Sequence, residues 1–230
     1  MAVILNIETS TPVCSVALSK DGAVIFNQQD NEGPSHTEKL GVFIQEALDF
    51  AEKNELKLDA VAVSCGPGSY TGLRIGVSTA KGLCYGLNIP LIAVPTLKVM
   101  ACALLFDPAT DEEALLCPMI DARRMEVFAT IYDRALQEVK PTSADIIDEN
   151  SYLEYLEKQK VIFFGNGADK CSSTITHTNA AFISGISPLA GNMMALAEMD
   201  FRQENFVDVA YFEPFYLKEF VATTPKNKVF

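Results

Sequence analysis

The chain has 230 residues, enough for one large domain or two small ones. Its 18 basic and 30 acidic side chains give a net charge of −12, which repels phosphate backbones and leaves contact with nucleic acid mainly to a partner. Hydrophobic residues at 49% against 21% charged exclude disorder and coiled coil.

The six cysteines form no C-x-x-C pair and sit mostly in apolar stretches, which predicts buried, reduced thiols and a cytoplasmic protein. With only His36 and His177 available, a zinc site is not expected. The N-terminus carries no secretory pattern, and the longest apolar run, Val99 to Phe106, is far too short to cross a bilayer.

In chain order, Ala2 to Glu8 reads as a buried strand and Thr9-Ser10-Thr11-Pro12 as a turn. Val13 to Leu18, the hairpin signal Lys20-Asp21-Gly22 and Ala23 to Gln29 complete an antiparallel meander of three strands. Ser35-x-x-Glu38 fits a capping box. Leu40, Phe43, Ile44, Ala47, Leu48 and Ala51 recur at helical spacing and predict a helix from about Ser35 to Lys53. Leu58 to Ser64 is a strand, Gly66 to Gly72 a tight loop, and a helix follows to about Gly86. A strand at Ile89 to Val94 precedes a helix through Leu105.

The polar break beginning at Phe106 predicts a boundary between halves 1–106 and 107–230, with the C-terminal segment free to pack back on the first. Beyond it come a strand at Leu115 to Asp121, a hairpin at Arg123-Arg124 and a strand at Met125 to Tyr132. A short helix at Ser151 to Lys158 and a strand at Val161 to Phe164 follow. Leu189 to Phe201 reads as a helix and Asp208 to Lys218 as an extended, aromatic tail. The fold class is α/β, with mixed sheets flanked by helices, and strand–turn–strand opens both halves.

The loop Gly66-Pro-Gly-Ser-Tyr-Thr-Gly72 follows a buried strand and opens a helix, a place where backbone amides and the helix dipole attract phosphate. It matches neither the Walker loop nor the dinucleotide fingerprint. Gly66, Gly68, Ser69, Thr71 and Gly72, with Glu8, Thr9 and Ser10 at the first strand's end, are the candidate nucleotide or phosphate residues. The alternative is a tight strand-to-helix turn capped by Ser69 or Thr71, with Glu8-Thr9-Ser10 bonding its own backbone. Asp121-Ala-Arg-Arg124 suits either anion contact or an ordinary surface turn. No residue is assigned a catalytic role, and no G-x-S-x-G elbow is present.

Taken together, Ile-Glu8-Thr9-Ser10, Gly66 through Gly76, Lys81-Gly82-Leu83, Asp121-Ala-Arg-Arg124 and Tyr211-x-x-Pro214 resemble the TsaB, or YeaZ, family. The resemblance implies two ribonuclease-H-like halves of the superfamily of acetate and sugar kinases, heat-shock chaperones and actin. It also implies a non-catalytic scaffold for a TsaD-type enzyme, which transfers threonylcarbamoyl to an adenosine beside the tRNA anticodon. A TsaE-type ATPase is the further partner, tRNA is met only through the complex, and no membrane is involved.

The resemblance implies no required cofactor and leaves room for ATP or ADP at an interface with partners. The catalytic homologue's H-x-x-x-H metal pair falls at Thr96 and Met100 here, neither of which replaces imidazole. Two helices, Ser35–Lys53 and Ser69–Gly86, are expected to form the partner face, through His36, Leu40, Phe43, Ala47, Ala51, Tyr70, Arg74, Val77 and Ala80. Without a partner the same face is expected to form a two-fold homodimer. The competing function is an ATP-dependent phosphotransferase or ATPase; a peptidase lacks a nucleophile–base pair.

Overall fold

The structure, a computed structural model, describes residues 2–31, 33, 36–105 and 110–218. Ser35 of the capping box, residues 106–109 at the expected boundary and the end of the chain from 219 lie outside the described residues.

The first sheet holds β1 (Val3–Glu8), β2 (Cys14–Lys20), β3 (Ala23–Asp30), β4 (Ala60–Ser64) and β5 (Leu91–Val94). Its order is β3-β2-β1-β4-β5. The first three strands are antiparallel, and β4 and β5 run parallel to β1. The β2–β3 turn places Asp21 and Gly22 at φ 54° and 75°, the left-handed pair that a tight hairpin needs. The second sheet holds β6 (Leu115–Asp121), β7 (Glu126–Tyr132), β8 (Glu138–Ile146), β9 (Val161–Phe164) and β10 (Ala180–Ile183). Its order, β10-β9-β6-β7-β8, repeats the first with the same parallel and antiparallel pairings.

Alternation along β1 sorts its side chains onto two faces. Val3, Leu5 and Ile7 pack under α1 (His36–Lys53) and α2 (Tyr70–Leu87), whereas Ala2 and Ile4 join the core between the sheets. That shared core is filled by α3 (Thr96–Leu105) and α5 (Met194–Arg202), with Leu116, Ile120, Phe128 and Phe164 of the second sheet on its far side. The outer face of the second sheet is covered by much less helix, including the four-residue α4 (Leu153–Leu156). The chain also crosses back: Ala190 N donates to Ser15 Oγ at 2.9 Å, and Val207 bridges to Leu91.

The predicted elements are present, with two additions and one refinement. Strands β8 and β10 carry weak apolar alternation because each is an edge of the second sheet, and β8 contains Pro141, which an edge tolerates. The expected helix from Leu189 opens as a 3₁₀ turn over Ala190–Met193 before α5 begins.

Burial corrects the expected partner face. Leu40, Ala47, Ala51, Val77 and Ala80 line the core beneath the two helices, and Ala47 and Ala80 are 0% exposed. His36 is buried as well, its Nε2 2.8 Å from the Thr11 carbonyl oxygen. The helical spacing located an apolar stripe correctly, but that stripe faces the sheet. Ala80→Asp is therefore expected to cost about 3 kcal/mol or more of folding stability by burying an unpaired charge. Chemical unfolding would read the loss; an unchanged midpoint would contradict the core placement.

Candidate functional site

The end of β1 and the start of α2 meet in one tightly packed cluster. Ser69 caps α2, its Oγ accepting from Gly72 N at 3.3 Å. The Ser69 amide donates to Ser10 O at 2.6 Å, and Thr9 Oγ1 donates to Gly72 O at 2.8 Å. Glu8 Oε1 accepts from both the amide and the hydroxyl of Ser10, at 2.6 and 2.5 Å. The loop's other end is held by Thr96, whose Oγ1 accepts from Gly66 N at 3.2 Å.

The glycines make this approach possible. A Cβ at Gly68 would strike the Ser10 carbonyl, one at Gly72 the Thr9 carbonyl, and one at Gly76 the Thr9 hydroxyl. Carbonyl oxygens and a hydroxyl thus occupy the space that side chains at these three positions would need, and the Ser69 and Gly72 amides are already bonded. Glu8, Thr9 and Ser10 are fully buried, and Gly66 and Gly72 are buried beside them. These contacts give the capped strand-to-helix turn; of the candidate phosphate residues, Ser69 and Thr71 are exposed and Gly68 is half-buried.

Burial raises the Glu8 carboxyl above its ordinary range, and the Ser10 bonds only partly oppose that. Its Oε2 lies toward the Ser64 hydroxyl without making an aligned bond. Cys65, next in the chain, is likewise pushed up to about 12 by burial and is no thiolate nucleophile. Thr96 and Met100, at the positions of the homologue's metal pair, are both 0% exposed. No cluster of three or more His, Cys, Asp or Glu suited to a metal occurs among the described residues. His36 and His177 lie apart, one bonded to Thr11 O and the other accepting from Asn179 N.

With its inner stripe committed to the sheet, α2 turns Thr71, Arg74, Ser78, Gly82, Tyr85 and Gly86 outward. Tyr85 is 86% exposed, and a Cβ at Gly82 or Gly86 would meet nothing within 4 Å. Residues 207–218 run alongside as a strap. Lys81 Nζ donates to the carbonyls of Ala210 and Phe212 at 3.1 and 3.0 Å, and Phe215 N donates to Cys65 O at 2.7 Å. Tyr216 stacks near Tyr70, ring centroids 4.9 Å apart, while Arg74 bonds the Tyr70 hydroxyl at 2.9 Å. Between helix and strap lies a groove of about 530 Å³, lined by Lys81, Gly82, Tyr85, Asp208, Val209 and Ala210. Tyr211 stands 85% exposed on the strap.

Of the expected partner residues, then, Tyr70 and Arg74 belong to an accessible face, and Phe43 is half-buried on α1. Gly82, Tyr85 and Tyr211, exposed on the same side, were not among the expected partner residues. The available signal was the distribution of apolar and small residues around α2: a helix apolar on more than one side has a second face to cover.

A family model described as "TsaD: tRNA N6-adenosine threonylcarbamoyltransferase" matches residues 30–225. The chain is 31% identical over 227 residues to the Escherichia coli tRNA threonylcarbamoyladenosine biosynthesis protein TsaB, covering 95% of this chain and 96% of that protein. The chain belongs to the TsaB branch of this family. The Bacillus subtilis TsaB is 30% identical over 168 residues, covering 71% of this chain and 70% of its own. YeaZ from Pseudomonas aeruginosa shares the fold, with a TM-score of 0.79, 23% identity and coverage of 94% of this chain and 100% of that one. The paired sheets are accordingly the two actin-like, ribonuclease-H-like halves of the superfamily. Among the described residues no helix is long and apolar enough to cross a membrane.

Two outcomes follow for a TsaB-family chain packed this way. Gly72→Ala is expected to cost about 1–3 kcal/mol or more, because backbone must move to clear the Thr9 carbonyl; thermal or chemical unfolding that matched wild type would refute the packing. The raised Glu8 carboxyl contributes stability fully below its ordinary value of 4.5, and that contribution is lost as pH rises through the higher folded-state value. Glu8→Gln, always neutral, is expected to gain on wild type as pH climbs above 4.5. Urea titrations at several pH values would show this, and parallel pH profiles would defeat the burial account.

Proposed function

We propose that this chain is a non-catalytic scaffold in the formation of N6-threonylcarbamoyladenosine in tRNA, binding a TsaD-type threonylcarbamoyltransferase through the outer face of α2 and the strap beside it. The carrying observation is the apolar groove between Gly82, Tyr85 and residues 208–210. An exposed glycine in a helix interior costs about 0.5–1 kcal/mol relative to alanine. Gly82 and Gly86 have free space above them, so nothing among the described residues uses their small size. A second helix laid against α2 would. The adjoining aromatics Tyr85 and Tyr211 are the residue type that anchors interfaces.

The reading places the chain in the cytoplasm with a TsaE-type ATPase as a further partner, and the same face forms a homodimer when the transferase is absent. The closed 66–72 loop weighs against the phosphotransferase or ATPase reading. A nucleotide in the assembly would sit at an interface with partners rather than in that loop. The chemistry at the adenosine belongs to the partner, because this chain offers side chains without imidazole at Thr96 and Met100.

Gly82→Leu separates docking from folding because it moves the two in opposite directions. The substitution is expected to stabilise α2 by about 0.5–1 kcal/mol while filling the groove. Association with TsaD from the same cell should fall by about tenfold or more, read by size-exclusion chromatography with light scattering. Tyr85→Asp should also weaken association at unchanged stability. Full-strength binding by both variants would refute this face as the docking surface.

A further inference from the structure

We infer that the tip of the β6–β7 hairpin, Arg123 and Arg124, is a contact for the phosphodiester backbone of an RNA. Of the chain's five arginines, Arg74 bonds Tyr70, Arg134 donates to Leu105 O at 3.1 Å, and Arg202 pairs with Glu198 at 2.8 Å. Arg123 and Arg124 are exposed, and among the described residues neither guanidinium has an ion pair. The acids nearest in sequence are already held: Asp121 pairs with Lys170, and Glu126 with Lys218. The tip therefore presents two uncompensated positive charges on a chain whose net charge is −12.

It is also rigid. Arg123 N donates to Asp121 Oδ1 at 3.0 Å, and Asp121 N donates to Asn166 Oδ1 at 2.9 Å. Lys170 Nζ donates to the carbonyls of Arg124 and Glu126 at 2.6 and 2.7 Å, pinning both sides of the turn. Both arginines hold left-handed backbone, φ 73° and 52°, a conformation that favours glycine or asparagine and costs an L side chain energy. A turn with no use for the guanidinium groups would be more stable as Asn-Gly.

Position favours RNA over an acidic protein surface. The strap beside α2 ends at Lys218, which bonds Glu126 at the base of this hairpin, so the tip lies at the edge of the proposed docking face. A polyphosphate brought there by the transferase is repelled by most of this chain. Screening confines such repulsion to about 8 Å in physiological salt, so a local pair of guanidinium forks can still hold phosphate oxygens.

The inference rests on the proposed role in tRNA modification, and its test separates the two. The double variant R123N/R124G suits the left-handed turn and is expected to fold at least as stably as wild type. Labelled tRNA is titrated by fluorescence anisotropy against the complex with the transferase and against the chain alone at low salt. Removing two phosphate contacts should weaken binding about 5- to 30-fold and lower the slope of log affinity against log salt by about 1.5–2. R123K/R124K should keep most of that slope, and Arg202→Ala, which removes one distant charge, should leave it intact. Unchanged affinity and slope in the double variant would overturn the inference. So would an R123N/R124G chain that no longer joins the transferase, since the tip would then be a protein contact. If the wild-type chain itself fails to bind the transferase, the scaffold reading fails instead, and the chain-alone titration still decides the RNA contact.

Discussion

The structure depends on how closely the turn after β1 approaches the start of α2. Backbone carbonyls of Thr9 and Ser10 occupy space that a methyl group at Gly72 or Gly68 would fill, and the Thr9 hydroxyl does the same at Gly76. Two bonds, from Ser69 N to Ser10 O and from Thr9 Oγ1 to Gly72 O, hold that approach, and the bond from Gly72 N to Ser69 Oγ caps the helix there. This single contact sets the height of α2 above the sheet and its rotation about its own axis. It thereby decides which side chains meet the sheet and which meet solvent. The glycine loop thereby serves as a packing joint between the turn after β1 and α2.

From that joint the rest of the first half follows. Leu73, Val77, Ala80 and Cys84 descend into the core at helical spacing, and α1 packs beside them through Leu40, Ile44, Ala47 and Ala51. The second half repeats the strand order but not the coverage. Two 18-residue helices protect the first sheet, while the four-residue α4 contributes to the cover over the second. The second half is stabilised instead by the core it shares with α3 and α5, and by aromatic packing of Phe163 against Tyr152 and Phe182. Its C-terminal strap returns to the first half, where Lys81 fixes two of its carbonyls. The strap helps to shape the groove, so the proposed docking face is a product of both halves.

Element type and order were legible because alternation and helical spacing record burial directly. α1 and α2 each bury a regular stripe, while β1, β2 and β4 are buried almost throughout and read as short runs of apolar and small residues. β8 and β10 were not legible, because an edge strand buries little and tolerates polar residues and Pro141. The glycine loop was legible as a special backbone but not as to its use. G-P-G-S-Y-T-G is compatible with admitting a phosphate or a neighbouring carbonyl, and only the position of Thr9 and Ser10, some sixty residues earlier in the chain, decides between them. Several expected partner residues proved to be core for a related reason. Periodicity shows that Ala47 and Ala80 lie on an apolar stripe but does not say that the sheet covers it. The accessible side of α2 depends on residues 207–218, brought alongside only by tertiary structure.

The surface then carries two features that folding alone does not favour. One is an apolar groove beside exposed helical glycines; the other is a pair of arginines in left-handed backbone with no ion pair among the described residues. Each sacrifices some stability, the first through helix propensity and the second through backbone conformation. Both are joined by the strap, which runs from the groove at Ala210 past Tyr216 to the Lys218–Glu126 pair under the arginine tip. The glycine loop is spent on packing, while the apolar groove and the arginine tip are left at the surface. Under the proposed role these two features supply position: a groove for a protein helix and a pair of cations for a polyanion. An acidic body behind it favours solubility and discourages nucleic acid from settling elsewhere on the chain. In the proposed scaffold role, orientation of an RNA relative to a catalytic partner requires no reactive group of the chain's own, which leaves the buried Glu8–Ser10 turn free to serve as a packing joint.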